Sequence, residues 1–193
     1  MSRVLLVNAR ICSPRSARLP LSLLHLGAVL EGRHEYTILD GNLEPDCARL
    51  AAEAVRASKH DLVGLSVMPG PQVGPSIEVS RAVRAADPDV PIVWGGYFPT
   101  LYTAAALNAP YVDYVVRGQG EETLLALLDA LPGRRPTAAD SGAPAGLETV
   151  AGLSYKRDGA QVHTRTGRSA RRTASTPLPY HRAGDPDRYL QPS

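Results

Sequence analysis

The sequence predicts an α/β fold built on a doubly wound sheet of five parallel strands. Along residues 1–132, short aliphatic and β-branched runs alternate with longer segments of helical periodicity, which is typical of repeated β-α units. The short runs are almost continuously apolar, as expected for strands that helices cover on both faces. Right-handed crossovers between such units distribute the helices over the two faces of one parallel sheet.

The predicted elements follow one another in a regular order. The first strand, at 4–7, is continuously aliphatic, and a polar loop at 10–18 follows it. Pro20 suits the first turn of a helix, and Gly32 suits its end. The remaining strands are predicted at 36–39, 62–67, 91–94 and 114–116, and the remaining helices at 45–58, 77–86, 101–107 and 121–131.

The character of the sequence changes after the last of these helices. Residues 133–151 are rich in Gly, Pro, Ala, Ser and Thr without an apolar period, which predicts a linker. Residues 152–166 alternate around Asp158-Gly159, a dipeptide typical of hairpin turns. Residues 167–193 are rich in arginine and proline without an apolar stripe, which predicts an irregular basic tail. The predicted division is therefore an α/β domain, a linker, a hairpin appendage and a tail.

The composition argues against several classes of partner. A net charge of +2 and an aromatic content of 5% do not suit a nucleic-acid surface, which needs a strong basic patch or stacking aromatic rings. No apolar run is long enough to span a bilayer, and a strand begins too early to leave room for a signal peptide. Cys12 and Cys47 alone cannot form a disulfide framework or a cysteine-cluster metal site. We therefore expect a cytoplasmic protein that binds neither nucleic acid nor membrane.

Four of the five predicted strands end in residues suited to a binding site. Asn8 ends the first strand, Ser66 the third and Gly95-Gly96 the fourth, and residues 117–120 follow the fifth. The end of the second strand is plain by comparison. Ligands of open α/β sheets bind outside the carboxyl ends of the strands. The flavodoxin-like strand order 2-1-3-4-5 brings the four marked ends together, whereas the order 3-2-1-4-5 would separate them, so we predict the former.

The residue types at these strand ends indicate a ligand that lies against bare backbone. Glycines after the fourth and fifth strands carry no side chain that would keep a flat or rod-shaped ligand away. Ser66 adds a hydroxyl that both donates and accepts hydrogen bonds. His25, within the apolar first helix, is expected to be structural. The sequence lacks a Gly-Lys-Ser/Thr element and a G-x-G-x-x-G run after the first strand, which argues against a nucleoside triphosphate or a dinucleotide.

Six segments of the sequence form a recognisable series. They are RVLLVN at Arg3, LPLSLLHLGAVLEG at Leu19, YTILD at Tyr36, DLVGLSVM at Asp61, PIVWGGYFPT at Pro91 and DYVVRGQGEETLLALL at Asp113. Their order and spacing resemble the cobalamin-binding domain that precedes a radical S-adenosylmethionine (SAM) domain in many bacterial enzymes. The resemblance covers about two thirds of the chain from its start, and the hairpin also fits it.

The resemblance implies that the chain holds cobalamin base-off, with the nucleotide tail beside the sheet and the corrin ring over the strand ends. Residues 68–74 would line the tail pocket, and residues 8–14 would lie beneath the corrin. Carried over by position, the cofactor-binding residues would be Asn8, Ser66, Val67, Met68, Pro69, Gly70, Gly95, Gly96, Tyr97, Pro99, Thr100, Gly118, Gln119, Gly120 and Glu121.

Two departures from the family bear on cobalt and on catalysis. No histidine lies between Asn8 and Leu24, so the first loop supplies no imidazole ligand to cobalt. The chain contains no C-x-x-x-C-x-x-C cluster, so a [4Fe-4S] cluster and SAM would be bound only in a partner or missing domain. The resemblance thus implies a cofactor-holding module of a radical SAM enzyme, without a catalytic centre in this chain alone and with methyl transfer as one candidate reaction.

Three other functions are alternatives to this interpretation. A flavodoxin-like domain would bind flavin, but the loop after the first strand lacks a Ser/Thr-rich phosphate grip. A receiver-type signalling domain would need acidic residues, an Asp and a Lys where Asn8, Ser66 and Arg117 stand. A cofactor-free interaction module would act through its basic tail. We expect the tail arginines to form a solvated face, with a patch that docks against a catalytic domain or partner as the alternative; they are Arg165, Arg168, Arg171 and Arg172.

Overall fold

Five parallel strands form the centre of the computed structural model, which describes residues 1–131, 146–167, 177–183 and 185–189. The strands are β1 (Arg3–Asn8), β2 (Glu35–Asp40), β3 (Leu62–Ser66), β4 (Ile92–Gly95) and β5 (Tyr114–Val116). The helices that follow them are α1 (Leu21–Leu30), α2 (Cys47–Ala57), α3 (Val73–Ala86), α4 (Tyr97–Leu101), α5 (Thr103–Asn108) and α6 (Glu121–Ala130). All five predicted parallel strands are therefore confirmed.

The parallel strands lie in the order β2-β1-β3-β4-β5, which confirms the predicted flavodoxin-like arrangement. The expected total of five strands is wrong, because the predicted hairpin joins the same sheet. Its strands, β6 (Leu153–Arg157) and β7 (Ala160–His163), extend the sheet to seven, and β6 pairs antiparallel with β5. Leu153 and Tyr155 are fully buried, so the hairpin covers what would otherwise be an open sheet edge.

Two helices differ from the predicted segments. Helix α3 begins at Val73, about one turn earlier than expected, so Pro75 lies in the first turn, where its missing N–H costs no helical hydrogen bond. The helix expected at 101–107 is two short helices, because Tyr102 leaves the helical region with φ −122° and ψ 47°. Helix α4 begins directly after Gly96, whose φ of 96° permits the sharp turn out of β4.

Helices cover the sheet with an apolar layer on each face. On one face, strand residues such as Leu5, Val63 and Trp94 pack against α2, α3 and α5. On the other face, strand residues such as Leu6 and Val93 pack against α1 and α6. Because successive side chains of a strand point to opposite faces, the nearly continuous apolar runs fill both layers.

The segments outside the α/β domain are partly described. Most of the linker predicted at 133–151 lies outside the described residues, but Leu147 and Val150 at its end are buried in the α1 and α6 layer. In the tail, two 3₁₀ turns, Tyr180–Ala183 and Pro186–Tyr189, lie against β2. Three of the four tail arginines also lie outside the described residues, namely Arg168, Arg171 and Arg172. The division into domains stays a prediction.

None of the helices in the described ranges has both the length and the apolar composition that crossing a membrane requires.

Candidate functional site

A narrow cleft of about 190 Å³ lies between the sheet and helices α1 and α6, near the carboxyl ends of the strands. The strand register forms its floor, with Leu6, Gly64 and Val93 in one row and Ser66 beside Gly95 in the next. The two glycines and the serine leave space where larger side chains would close the layer. A Cβ on Gly64 would lie 3.2 Å from Cδ2 of Leu6, so even one methyl group would crowd this floor.

The narrow cleft combines apolar walls with a few polar groups. Leu26 of α1 and Leu124 of α6 line it, and the hydroxyls of Ser22 and Ser66 are 3.1 Å apart. Glu121, the first residue of α6, also lines the cleft, and its Oε2 atom is buried without a hydrogen-bond partner among the described residues. Leaving a buried acceptor unsatisfied is costly, so this oxygen suits a ligand that supplies a donor.

The turns that follow β4 and β5 each contain a glycine that lines this cleft. Gly96 has a φ of 96°, and a Cβ on it would lie 2.9 Å from the carbonyl oxygen of Val67. Gly118 has a φ of 77°, and its N–H donates to Oγ1 of Thr100 at 3.0 Å. The same Thr100 hydroxyl donates to the carbonyl of Gly96 at 2.7 Å. The turns after β4 and β5 are therefore held together, and at Gly96 and Gly118 they expose main chain to the clefts.

A wide cleft of about 650 Å³ covers the strand ends next to the narrow cleft. Its volume lies within the ~300–1,000 Å³ that is common for small-molecule sites. Exposed apolar side chains contribute to its lining, among them Ile11, Leu21, Met68 and Tyr97. The two clefts are continuous, because both are lined by Ser22, Ser66, Gly96, Gly118 and Gln119.

A polar network, formed by the side chains of Asn8, Asp40, Asn42 and Gln72, lies at the base of the wide cleft. Oδ1 of Asp40 accepts hydrogen bonds from Nδ2 of Asn8 at 2.9 Å and from the N–H of Asn42 at 3.0 Å. Nε2 of Gln72 donates to Oδ1 of Asn8 at 2.8 Å. Asp40, Asn42 and Gln72 are buried, and buried polar groups of this kind favour one arrangement when all of them are paired.

The polar network holds the two loops that line the wide cleft. Oε1 of Gln72 accepts from the N–H of Met68 at 2.7 Å in the loop after β3. Oδ1 of Asn42 accepts from the N–H groups of Ile11 at 2.9 Å and Cys12 at 3.2 Å in the loop after β1. The end of β2 is thus not plain, as the sequence suggested, because it supplies two members of the network. The Asp-Gly-Asn run at the end of β2 is the signal that would have identified them.

Eleven of the fifteen predicted site residues line one cleft or both, namely Asn8, Ser66, Met68, Gly95, Gly96, Tyr97, Thr100, Gly118, Gln119, Gly120 and Glu121. The other four do not. Val67 is fully buried, since it points to the opposite face of the sheet from Ser66, and Pro99 is buried within α4. Pro69 and Gly70 are exposed beyond the wide cleft.

Several lining residues were not predicted. His25, expected to be structural, lines the narrow cleft, as do Ser22, Leu26, Gly64 and Leu124. They escaped prediction because apolar periodicity marks burial without distinguishing a packed core from a cleft wall. Ser22, His25 and Leu26 are spaced as one helix face, which was the available signal. Within the described ranges, His, Cys, Asp and Glu side chains form no group of three or more that could hold a metal ion.

The fold and the two clefts define a class of protein, an α/β domain with a pair of continuous clefts at the carboxyl ends of its parallel strands. The model of the B12 binding domain family matches residues 15–128. This chain belongs to the B12-binding domain family.

Two proteins of related sequence are similar to this chain over most of its length. The chain is 29% identical over 161 residues to an anaerobic magnesium-protoporphyrin IX monomethyl ester cyclase of Synechocystis, covering 82% of this chain and 30% of the relative. It is 28% identical over 141 residues to an uncharacterised methyltransferase of Pyrococcus horikoshii, covering 72% of this chain and 28% of the relative. The chain thus spans less than a third of the length of these relatives.

Solved structures extend the comparison to the fold. The radical SAM methyltransferase TsrM of Kitasatospora setae, solved with cobalamin and a [4Fe-4S] cluster, matches with a TM-score of 0.69 and 25% identity over 86% of this chain and 31% of its own. The cobalamin-dependent radical SAM enzyme OxsB, solved with aqua-cobalamin and SAM, matches with a TM-score of 0.71. At 22% identity, over 88% of this chain and 23% of its own, OxsB supports the shared fold alone.

Proposed function

We propose that this chain binds cobalamin base-off, as the cofactor-holding module of a radical SAM enzyme. The observation that carries the proposal is a glycine-floored narrow cleft that opens into a wide cleft over the strand ends. A long nucleotide tail fits the narrow cleft, and a broad corrin ring fits over the wide one. A base that occupies the narrow cleft cannot also coordinate cobalt, so this placement requires the base-off form.

The residues present fit such a cofactor. Gly64 and Gly95 leave room for a flat base against the sheet, and Gly96 and Gly118 expose main chain along the path of the tail. The buried Oε2 of Glu121 would accept a hydrogen bond from a ribose hydroxyl, which would satisfy an acceptor that has no partner among the described residues.

The side chains beneath the ring would shape the lower side of the cofactor. Asn8, Ile11 and Cys12 line the wide cleft from the loop after β1, and none of them is a histidine. When bound, cobalamin supplies the cobalt centre for group transfer, methyl transfer being the candidate reaction, whereas the protein supplies binding and orientation. The [4Fe-4S] cluster and SAM belong in this proposal to a radical SAM domain or subunit, because the chain has two cysteines only. We place the module in the cytoplasm, where unpaired thiols stay reduced.

A titration with hydroxocobalamin tests the proposal. The purified chain should retain the cofactor after desalting, with the visible spectrum of the base-off form. Cobinamide, which lacks the nucleotide tail, should bind more weakly because it leaves the narrow cleft empty. Protein that stays colourless, or that holds cobinamide as tightly as cobalamin, would contradict the placement of the tail. Yellow protein that carries flavin would instead support the flavodoxin-like alternative.

A pair of glycine variants locates the tail. A Cβ on Gly95 meets Val116 only at an ordinary 3.8 Å, so Gly95→Val should fold while its side chain fills the narrow cleft. We expect its Kd for cobalamin to rise roughly tenfold or more, with cobinamide binding little changed. Gly74→Ala is the control, since Gly74 lines neither cleft, has nothing within 4 Å of its Cβ position, and precedes Pro75, where a β-branched residue would disfavour the helix. Equal cobalamin affinity in both variants would place the tail elsewhere.

A further inference from the structure

The tail predicted as irregular contains a C-terminal strap, residues 177–189 apart from residue 184, that docks on β2 and α1. The guanidinium of Arg182 lies 5.0 Å from the centre of the Tyr36 ring and donates to Oε1 of Glu31 at 3.1 Å. Arg188 donates to Oε1 of Glu44 at 2.7 Å and to the carbonyl of Leu43 at 2.9 Å. These ion pairs are part-exposed and individually weak, but together they define where the strap lies.

Tyr189 connects the strap to the polar network. Its hydroxyl donates to Oδ2 of Asp40 at 2.9 Å, while Oδ1 of the same carboxylate accepts from Asn8 and from the N–H of Asn42. Burial and the negative charge of Asp40 raise the pKa of Tyr189, so the hydroxyl remains a donor well above neutral pH. The side chain of Asp40 is therefore shared between the strap and the network.

The hydrogen bonds continue from Asp40 to the lining of the wide cleft. Asn8 itself lines the cleft, and its Oδ1 accepts from Gln72, which in turn accepts from the N–H of Met68. Nε2 of Gln72 also donates to the carbonyl of Ala9 at 2.6 Å. Loss of the Tyr189 hydroxyl leaves Oδ2 of Asp40 without this donor. Asp40 in turn contacts Asn8, and Asn8 contacts Gln72, which holds the loop after β3 beneath the wide cleft.

We propose that the strap is a positioning element of the cofactor cleft, in which Tyr189 orients Asp40 and thereby Asn8 and Gln72. This inference rests on the proposed binding of cobalamin in the wide cleft. Its consequence is a thermodynamic coupling: a docked strap raises the affinity for the cofactor, and a bound cofactor stabilises the docked strap by the same factor. Tyr189 acts through Asp40 and is not expected to touch the cofactor.

The test compares two Tyr→Phe variants in the same strap. Tyr189→Phe keeps the ring and removes the hydroxyl that Asp40 accepts from. Tyr180→Phe is the matched control, because Tyr180 is exposed and its hydroxyl makes no hydrogen bond with the described residues. We expect Tyr189→Phe to raise the Kd for hydroxocobalamin about fivefold or more, and Tyr180→Phe to leave it unchanged.

Hydrogen–deuterium exchange supplies a second measurement that mere destabilisation would not mimic. Strap amides such as those of Tyr180, Arg182 and Arg188 donate to carbonyls within the strap, so their exchange reports whether it is ordered. Cobalamin should slow this exchange in the wild type and in Tyr180→Phe, but much less in Tyr189→Phe.

The outcomes separate the two proposals. Wild-type affinity in Tyr189→Phe, or strap exchange that cobalamin does not change, overturns the coupling and leaves cobalamin binding intact. A wild-type chain that binds no cobalamin overturns both.

Discussion

Single residues on one face of β3 and β4 decide whether this domain has a cleft or a closed core. Gly64, Ser66 and Gly95 point toward α1 and α6, where the neighbouring positions carry Leu6 and Val93. Aliphatic side chains at the three positions would complete the apolar layer and gain burial energy. Because these three residues are small, the apolar layer is incompletely packed here and the narrow cleft stays open.

The two cysteines should differ sharply in reactivity. Cys47 is buried, and burial together with the negative charges of Asp40 and Glu44 raises the pKa of its thiol to about 12. At pH 8 only about one Cys47 in ten thousand would be the reactive thiolate. Cys12 is part-exposed and lines the wide cleft. We expect iodoacetamide to modify Cys12 and spare Cys47 in the folded protein, as measured by peptide mass spectrometry.

The same experiment checks the position of the corrin. Cyanocobalamin should slow the modification of Cys12, because the proposed ring covers the wide cleft. Cys12→Ser should take up label only after unfolding in urea, which serves as the control. Fast labelling of native Cys47 would be at odds with its burial, and a Cys12 rate that is indifferent to cyanocobalamin would argue against a corrin at this place.

Among the elements, the β6–β7 hairpin depends on a turn that few residues can form. Asp158 has a φ of 52° and Gly159 a φ of 77°, so both residues of the two-residue turn are left-handed, as in a type I′ turn. Since β6 pairs with β5 and buries Leu153 and Tyr155, an error in the turn affects the sheet itself.

Substitutions in this turn should therefore change global stability. Gly159→Val forces a β-branched residue into the left-handed region and should lower the free energy of unfolding by about 1–2 kcal/mol. Asp158→Asn should be close to neutral, because asparagine tolerates this conformation. Urea unfolding followed by circular dichroism measures both. Unchanged stability of Gly159→Val would mean that the hairpin contributes little to the fold.

For the molecule as a whole, one continuous sheet contains both the parallel strands and the hairpin that the sequence predicted as a separate appendage. The α1 and α6 layer contains Leu6 and Val93 from the parallel strands together with Leu147, Val150 and Leu153 from the region beyond α6. A hairpin that shares a core with the parallel strands should not open independently of them.

Native-state hydrogen exchange tests that expectation. The amides of β6 should exchange with an opening free energy within about 1 kcal/mol of those of β3 and β5, because all three open only on global unfolding. Strand β7, the outermost strand, should exchange faster and serves as an internal comparison. If β6 exchanged as fast as β7, the hairpin would open independently of the parallel strands, as expected of a separate appendage.

Much of the fold was predictable because its signals are local. Continuous apolar runs predicted the parallel strands, and marked ends at Asn8, Ser66 and Gly95 predicted their order. The pairing of the hairpin with β5 was not predictable, because a turn dipeptide predicts two strands that pair with each other but not the further strand with which they pair. The break between α4 and α5 likewise depends on the backbone at Tyr102, where no proline or glycine interrupts the sequence.

The sequence by itself determined the order of the five parallel strands, the family and the residue types at the strand ends, since all of these signals lie in short runs of consecutive residues. Only the tertiary structure decided that Gly64 lies beside Ser66 and Gly95 in one cleft, and that hydrogen bonds link Tyr189 through Asp40 and Asn8 to Gln72 beneath another. These residues lie far apart along the chain. Their contacts arise from strand register and from docking of the tail, and neither leaves a local pattern to detect.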